Sequence, residues 1–385
     1  MLFAGVWCIL GSMETKVVKV DAVKPDAAKI KETAELVERG GLVGFPTETV
    51  YGIACKVKKD SIAKLDKIKQ RKQDKPYSLH IGQKNNVKKY VPTIGLRAEK
   101  LIKNGWPGPL TIVFELDAKD INKQRNSLEK EVFEILYKDN SIGIRCPDNP
   151  VASVLLQSVT SAVVAPSANI GDGRPAINAE DVLTQFSGEI EMVLDGGPCK
   201  YKKSSTVVKI GKKGLEVLRA GVYSEIELEA MSEVKFLFVC TGNTCRSPMA
   251  EGMFRKELAE KLECEVDELE KRGYKIFSAG TMGAVGLPAS AESIAACAAK
   301  GIDIKNHKSR ALTEQLIKES DFIFVMEQWH CETAAALGGA SSSKCVLLAE
   351  DKEIADPIGQ PQQVYNNCAE WIEKAVKKRI SELII

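Results

Sequence analysis

The 385-residue sequence lacks a strong net charge, paired cysteine motifs and long apolar runs, and each absence excludes a class of protein. A formal net charge of +2 gives no global signal for binding a polyanion such as nucleic acid. The 11 cysteines occur singly, and no pair has metal-ligand spacing with a matching second pair. We therefore expect reduced thiols, no metal site and a cytoplasmic location.

The apolar start, MLFAGVWCIL, is too short to span a bilayer. It also lacks the basic n-region and the clear A-x-A site of a signal peptide. We interpret residues 1–12 as an artefact of an upstream start codon, with Met13 as the working start, in preference to a signal peptide. We expect no membrane segment.

What the sequence does contain is typical of a globular protein with two domains, with 44% hydrophobic and 28% charged residues. Polar helical patterns alternate with short apolar strands, and no internal repeat is visible. An acidic stretch without strong periodicity separates the halves, so we predict domains at 13–222 and 234–385 and a linker at 223–233. The alternation predicts an α/β fold, and in the second half a Rossmann-like parallel sheet covered on both faces.

The predicted elements follow from periodicity and capping residues. Helices are predicted at Lys24–Arg39, Ser61–Lys69, Pro248–Leu262, Ser290–Lys300 and Val364–Leu383. Strands are predicted at Leu42–Phe45, Tyr77–Ile81, Thr111–Glu115, Ser141–Arg145, Ala162–Ala165, Met192–Leu194, Thr206–Ile210, Phe236–Cys240, Lys275–Ala279, Phe322–Met326 and Cys345–Leu348. Asn122–Glu131 is predicted to be a mobile loop.

The stretch VCTGNTCRSPMAE places a cysteine at the end of a predicted strand and an arginine six residues later. Ser247 and Pro248 open the next helix, where proline suits the first turn. Such a turn directs backbone N–H groups inward, so it binds a tetrahedral oxyanion and stabilises a thiolate. We therefore expect Cys240 to have a depressed pKa and to act as a nucleophile, with Arg246 gripping the phosphoryl oxygens.

Phosphoryl transfer to sulfur also needs an acid that protonates the leaving atom and later deprotonates water. Asp356, in the stretch ADPIG, is the candidate, because an aspartate before proline favours an extended loop conformation.

The second half resembles the low-molecular-weight protein phosphatase family over about residues 234–385. The loop CTGNTCRSP carries the resemblance, together with SAGT, HKSR, DFIFVM and a late Asp-Pro, all in the family's order. The resemblance implies catalysis by Cys240, Arg246 and Asp356 without a cofactor. It also implies a phosphate-binding loop formed by Thr241, Gly242, Asn243, Thr244, Cys245 and Ser247.

The phosphatase substrate is left open between phosphoarginine and phosphotyrosine proteins. Thr244 stands where tyrosine-specific members carry a larger aliphatic residue, and members with threonine there resemble protein-arginine phosphatases. Ile358 replaces the aromatic residue that normally stacks on the substrate, and it departs from both groups. Arsenate reduction is disfavoured because Cys331 and Cys345 lack the short spacing of a thiol relay; Cys245 is interpreted as a protective or packing thiol, or as a disulfide partner of Cys240.

The first half carries motifs rich in hydroxyls and cations where strands and helices meet turns. They are GFPTETVYG, IKQRKQDKP, WPGPLT, IRCPDNP, APSAN, SSTVV and LRAG. Lys56–Lys75 alone has nine basic and three acidic residues, which indicates either a solvated helix face or a pocket for phosphates or nucleic acid. Hydroxyls and cations converging on strand ends suit a nucleotide triphosphate and a small carboxylate.

These motifs are similar to those of the threonylcarbamoyl-AMP synthase family, also called YrdC-like, from about Lys24 to Gly221. The resemblance implies a twisted α/β fold around an electropositive cavity. It implies a reaction in which L-threonine, bicarbonate and ATP with Mg²⁺ give threonylcarbamoyl-AMP and pyrophosphate. It also implies that the product is used for tRNA modification, with tRNA and tRNA-modification proteins as partners.

The resemblance assigns residues to two groups. Arg71, Lys75, Ser141, Ser167 and Arg219 match ATP-contacting positions, and Thr49, His80, Arg145 and Ser205 match threonine-contacting positions. A bidentate arginine is the natural partner of an amino-acid carboxylate, and Arg145 takes that role. No side chain is an obvious covalent nucleophile, so catalysis is expected to rest on proximity and charge neutralisation.

Three classes of function remain. The first is a bifunctional enzyme that joins the synthase to a phosphatase. The second is a protein-tyrosine phosphatase fused to a nucleotide- or RNA-binding module. The third is a fusion with an inert phosphatase half, which the presence of the three catalytic side chains disfavours.

Overall fold

The computed structural model describes residues 13–72, 75–211, 213–350 and 352–385, with the side chains of 340–342 excepted. The interpretation of residues 1–12 lies outside this range. The described chain divides into two compact units. The first comprises 13–94, 101–211 and 215–231, and the second comprises 95–100, 213–214 and 232–385.

The residues up to Ser232 form strands and helices in alternation. The strands are β1 (Lys16–Lys19), β2 (Val43–Phe45), β3 (Gly52–Lys56), β4 (Ser78–His80), β5 (Leu110–Glu115), β6 (Tyr137–Lys138), β7 (Ser141–Arg145), β8 (Val163–Val164), β9 (Met192–Asp195), β10 (Thr206–Gly211) and β11 (Gly214–Arg219). The helices are α1 (Ala27–Glu38), α2 (Lys59–Lys69), α3 (Leu96–Gly105), α4 (Ala118–Ser127), α5 (Lys130–Leu136), α6 (Pro150–Ser158), α7 (Ala179–Phe186) and α8 (Glu225–Ser232). The predicted α/β class is confirmed.

Within the described residues these strands form an eleven-stranded mixed sheet. Its order is β1-β9-β2-β3-β8-β4-β7-β5-β10-β11, with β6 paired to β7. At β7, Arg145 lies opposite His80 of β4 on one side and Thr111 of β5 on the other. This register brings residues from three distant motifs to one end of the central strands.

The prediction of a mobile loop at Asn122–Glu131 is wrong, because α4 and α5 occupy it. Asp117 caps α4 by accepting a hydrogen bond from the backbone N–H of Asp120. Ile121 is buried, and the guanidinium of Arg125 lies 5.3 Å from the ring centre of Phe133 in α5. The polar composition reflects the solvated face of a helix. The stretch predicted as a linker, 223–233, contains α8.

The second unit continues the alternation. Its strands are β12 (Val234–Cys240), β13 (Tyr274–Gly280), β14 (Phe322–Val325) and β15 (Cys345–Leu347). Its helices are α9 (Arg246–Lys261), α10 (Ala291–Ala298), α11 (Glu314–Glu319), α12 (Gln328–Gly338) and α13 (Gln362–Glu382). Among the described residues the strands form a four-stranded sheet in the order β13-β12-β14-β15, with every pair parallel, as predicted.

The core of the second unit fixes α9 on the sheet. Phe254 of α9 is fully buried, and its ring centre lies 4.6 Å from that of Phe236 and 5.2 Å from that of Phe238. Both of those residues belong to β12. The strand that ends at Cys240 and the helix that begins at Arg246 are therefore held together by aromatic packing.

Among the described residues, no helix combines the length and the apolarity that crossing a bilayer requires.

Two candidate active sites

The loop between β12 and α9 wraps around the sulfur of Cys240. The backbone N–H of Asn243 donates to that sulfur at 3.3 Å, and the hydroxyl oxygen of Ser247 lies 3.0 Å from it. Cys240 is 2% exposed. The loop thus surrounds the sulfur with hydrogen-bonding groups at the carboxyl end of a buried strand.

Asn243 gives the loop its shape. It is fully buried with a φ of 54°, a left-handed conformation that asparagine tolerates better than most residues. Its side-chain N–H groups donate to Ser247 at 2.9 Å and Ser278 at 2.8 Å, and its side-chain oxygen accepts from the N–H of Arg310 at 2.8 Å. The neighbouring strand must carry glycine at 280, because a Cβ there would lie 2.8 Å from the Thr241 carbonyl oxygen.

Arg246 is buried beneath the loop as a charged side chain. Its Nη1 donates to Glu327 at 2.6 Å and to the carbonyl of Ile354 at 2.7 Å, while Nη2 donates to Thr241 at 3.0 Å and to Asp356. Its Nε is buried without a hydrogen-bond partner. An unpaired guanidinium N–H close to Cys240 is a donor that an anionic oxygen could accept from.

Two further residues of this site, Glu327 and His330, escaped the sequence analysis. His330 is fully buried, and burial followed by the charge of Arg246 lowers its pKa to about 4. Its Nδ1 accepts from the N–H of Glu327 at 3.1 Å, so the neutral ring carries its proton on Nε2 and donates to Thr241 at 3.2 Å. The first turn of α12 therefore holds both the arginine and the loop.

The expectation of a depressed pKa for Cys240 is wrong for this structure. Burial raises the pKa of the thiol, and this outweighs the lowering by the hydroxyl and N–H of Ser247, the charge of Arg246 and the N–H of Asn243. The carboxylates of Glu327 and Asp356 already pair with Arg246, so its charge is shared.

Two other residues of the predicted loop, Thr244 and Cys245, contact more distant parts of the unit. Thr244 is half-buried, its hydroxyl lies 3.7 Å from the Cys245 sulfur, and its carbonyl accepts from the N–H of Ser290 at 2.9 Å. The Cys245 sulfur packs 3.7 Å from the hydroxyl of Tyr365. Ile358, beside the candidate acid, is 64% exposed.

In the first unit, Arg145 is the centre of the threonine-assigned group. Its Nη2 donates to Glu48 at 2.8 Å and to Thr49 at 2.7 Å, and all three side chains are buried. Its Nε is buried without a partner. Glu48 was not predicted, although it lies within the quoted motif PTETVYG, because nothing in the sequence says which cation it faces.

Register and hydrogen bonds bring the other threonine-assigned residues to Arg145. His80 is its neighbour across the β4–β7 pair, where burial and then the charge of Arg145 lower the pKa of His80 to about 3. Ser205 lies 3.2 Å from the hydroxyl of Thr111 and accepts from Arg219 Nη2 at 3.0 Å. Burial, and then the charge of Arg145, lower the pKa of Arg219, so two cations converge here.

A second cluster of cations surrounds Ser167. The Nζ of buried Lys69 donates to the carbonyls of Ser167 and Asn169, both at 2.6 Å, and burial followed by the charges of Arg71 and Lys75 lowers its pKa to about 8. Arg71 lies 4.1 Å from the ring centre of Tyr77 and has a buried, unpartnered Nε. An isolated bridge between Gly52 and Ser167 connects this cluster to the PTETVYG motif.

Ser141 lies at the opposite end of β7 from Arg145. It begins β7, whereas Arg145 ends it, so the two are about 13 Å apart at the usual rise of a strand. Its hydroxyl donates to the carbonyl of Lys138 at 2.8 Å, and its neighbour across the sheet is Glu115. Neither Lys138 nor Glu115 is an assigned residue, and the role of Ser141 in ATP binding stays a prediction.

Comparison with known proteins assigns both units to families. Residues 35–221 match the Sua5/YciO/YrdC family, described as telomere recombination, and residues 235–384 match the low molecular weight phosphotyrosine protein phosphatase family. The Escherichia coli K12 low molecular weight protein-tyrosine-phosphatase Etp is 33% identical over 160 residues, covering 39% of this chain and 99% of the relative. The chain belongs to both families.

The Sua5/YrdC unit has relatives named threonylcarbamoyl-AMP synthase. That of Pyrococcus abyssi is 29% identical over 244 residues, covering 62% of this chain and 68% of the relative. That of Bacillus subtilis is 29% identical over 212 residues, covering 55% of this chain and 58% of the relative. The chain thus spans little more than half of the Bacillus protein's length. Both predicted resemblances are confirmed.

The buried pair in the Sua5/YrdC unit predicts a stability effect. Replacing Glu48→Gln leaves Arg145 with a neutral partner in a site where its side chain is 6% exposed and that of Glu48 is 2% exposed. We expect a loss of about 2–3 kcal/mol in the free energy of unfolding, since a buried charged hydrogen bond is replaced by a weaker one. Urea denaturation of the full chain measures it.

The matched control is Glu32→Gln, which alters the solvent-exposed pair between Glu32 and Lys16. An exposed pair contributes little, so this variant should unfold as the wild type does. Equal midpoints for the two variants would contradict the assigned importance of Glu48.

Proposed function

We propose that the chain is a bifunctional, cytoplasmic enzyme that makes threonylcarbamoyl-AMP in one unit and hydrolyses protein phosphoarginine in the other. One observation supports both activities: Arg145, Arg71 and Arg246 each bury an Nε that has no partner in the protein. A buried, unpaired cationic donor indicates an anionic ligand.

In the synthase reaction, the Arg145 guanidinium binds the threonine carboxylate while Glu48 holds that guanidinium in place. Thr49 and Ser205 lie close enough to this cation centre to orient the amino acid. The amine attacks bicarbonate with loss of water, and the resulting carbamate oxygen attacks the α-phosphorus of ATP, expelling pyrophosphate. No covalent enzyme intermediate is needed, so proximity supplies the rate.

The cluster of Lys69, Arg71 and Lys75 is proposed to receive the triphosphate, which arrives with its own Mg²⁺ as part of the substrate. Positive charge there stabilises the negative charge that develops on the departing pyrophosphate. The product would pass to the enzymes that modify tRNA, so tRNA and those proteins are the proposed partners.

Pyrophosphate release from ATP tests the synthase. We expect release only when threonine and bicarbonate are both present. Arg145→Lys loses the planar fork, so the KM for threonine should rise by roughly 10- to 100-fold while ATP affinity changes little. Arg39→Lys, at the end of α1, is the matched control. ATP binding without dependent pyrophosphate release would favour a nucleotide- or RNA-binding module instead.

The lowered pKa of Lys69 predicts a pH dependence for ATP binding. Phosphates favour the charged amine, so binding should be tight below about pH 8 and weaken as the pH rises through that value. Binding above pH 8 should take up protons, because it raises the pKa of Lys69. The terminal phosphate titrates near pH 6, below this window.

Calorimetry in buffers with different ionisation enthalpies measures the proton uptake. Lys69→Arg keeps the charge at every pH in this range, so it should bind ATP without the pH dependence. Persistence of the uptake in that variant would assign it to another group.

In the phosphatase reaction, the Cys240 sulfur attacks phosphorus while the unpaired Nε of Arg246 binds a phosphoryl oxygen. The phosphoryl group also competes with Asp356 for Nη2, and the freed carboxylate takes up the proton that Cys240 loses and donates it to the leaving nitrogen. Water, deprotonated by Asp356, then hydrolyses the phosphocysteine and restores the thiol. The proton of the resting thiol must leave as the substrate enters, since burial raises its pKa.

Thr244 supports phosphoarginine as the substrate. Its hydroxyl can accept a hydrogen bond from a guanidinium, whereas a larger aliphatic residue could only pack against a ring. Ile358 gives no aromatic wall on which a phosphotyrosine ring could stack. A protein-tyrosine phosphatase is the second candidate, because the relative Etp carries that name.

Turnover on phosphoarginine and phosphotyrosine peptides separates the two, with Cys240→Ser as the inactive control. We expect a preference for phosphoarginine, which Thr244→Ile should shift toward phosphotyrosine by roughly tenfold or more. A phosphotyrosine preference in the wild type, unchanged by Thr244→Ile, would show that Thr244 does not set specificity.

A further inference from the structure

Two cysteines that are far apart in sequence meet in the phosphatase-family unit. The Cys331 sulfur donates a hydrogen bond to the Cys345 sulfur at 2.8 Å, across 14 residues of chain. Among the ten described cysteines, no other pair of sulfurs is hydrogen-bonded. Their spacing in the sequence disfavoured a thiol relay, but the fold brings the two sulfurs into contact.

Regular secondary structure holds the two sulfurs together. Cys331 lies near the start of α12, and Cys345 begins β15, where it pairs with Ile323 of β14. Both cysteines pack against the buried cluster that contains Leu237 and Val239 of β12. Their proximity therefore comes from a helix and a sheet strand and not from a chance loop conformation.

The pair is chemically distinct from the catalytic cysteine. Both side chains are partly exposed, so a small oxidant can reach them, whereas Cys240 is buried. Burial and the hydrogen bond from Cys331 raise the pKa of Cys345, which leaves it protonated at rest. We propose that Cys331 and Cys345 form a reversible dithiol–disulfide site that hydroperoxides oxidise independently of Cys240.

The oxidation balances with hydrogen peroxide as the oxidant. One sulfur attacks the peroxide, so an S–O bond forms, the O–O bond breaks, and a first water leaves with the thiol proton. The partner sulfur then attacks the sulfenic acid, so the S–S bond forms, the S–O bond breaks, and a second water leaves. Two electrons pass from the sulfurs to the peroxide oxygens.

The disulfide would lock the turn of α12 that supports the catalytic loop. Cys331 follows His330, which donates to Thr241, and the same turn begins after Glu327, which pairs with Arg246. Because the sulfurs already touch, oxidation should preserve this arrangement and restrict its loss on unfolding. We expect phosphatase turnover to persist and the melting temperature of this unit to rise by about 5 °C.

Peptide mapping of the oxidised full chain tests the site. The protein is treated with a small excess of hydrogen peroxide, free thiols are alkylated, and a non-reduced digest is examined by mass spectrometry. We expect a Cys331–Cys345 linked peptide pair that dithiothreitol removes. Recovery of both residues in alkylated form, or of either as sulfinic or sulfonic acid without linkage, would overturn the proposal.

Variants separate this site from general oxidation. Cys331→Ser and Cys345→Ser should each abolish the linked pair and the rise in melting temperature. Cys264→Ser is the matched control, because Cys264 is also partly exposed but has no sulfur partner among the described residues. Cys240→Ser should still form the link. If oxidation raises the melting temperature of Cys331→Ser as much as that of the wild type, the disulfide is not the cause.

Discussion

The structure depends on keeping arginine side chains charged inside the protein. Moving a guanidinium out of water costs several kcal/mol unless carboxylates and carbonyls replace its hydration. Glu327 and the carbonyl of Ile354 do this for Arg246, and Glu48 does it for Arg145. Glu327 is the residue that precedes α12, and Glu48 lies in the turn between β2 and β3. Ile354 lies in the segment between β15 and α13. The sheets therefore determine where the cations stand.

The incomplete pairing of these arginines matters as much as the pairing. A guanidinium with every N–H satisfied could bind an anion only by breaking a bond it already makes. Arg145 and Arg246 keep one buried N–H unpaired, which costs stability in the free protein and is recovered when an anionic group arrives. A carboxylate bound to another nitrogen of the same guanidinium fixes the orientation of its plane, so the direction of the unpaired N–H is set before a ligand binds. The two units reach this arrangement on unrelated sheets.

Sequence reasoning succeeded where a local pattern carries the structure. The strand Ser141–Arg145 has the predicted bounds, and the loop from Cys240 to Arg246 joins a strand to a helix as expected. It failed where the partner lies far along the chain: Glu327 is 81 residues from Arg246 and Glu48 is 97 residues from Arg145. The prediction of a loop at Asn122–Glu131 was wrong because it rested on the polarity of the segment and did not consider Asp117 as a helix cap. Burial depends on tertiary packing, which the sequence of the anion-binding turn does not show. The sequence therefore predicted a lowered pKa for Cys240, whereas burial raises it.

The raised pKa of Cys240 and the resting partners of Arg246 have one origin. The fold removes water from both side chains, which raises the pKa of the thiol, and it pairs the arginine with Glu327 and Asp356. Burial also limits the access of a peroxide to the sulfur of Cys240, which is 2% exposed. In the proposed reaction, a phosphoryl group replaces Asp356 on Arg246, so the charge close to the sulfur changes only when substrate is bound. The partly exposed cysteines of α12 and β15 are therefore more accessible to a small oxidant than Cys240, which is buried.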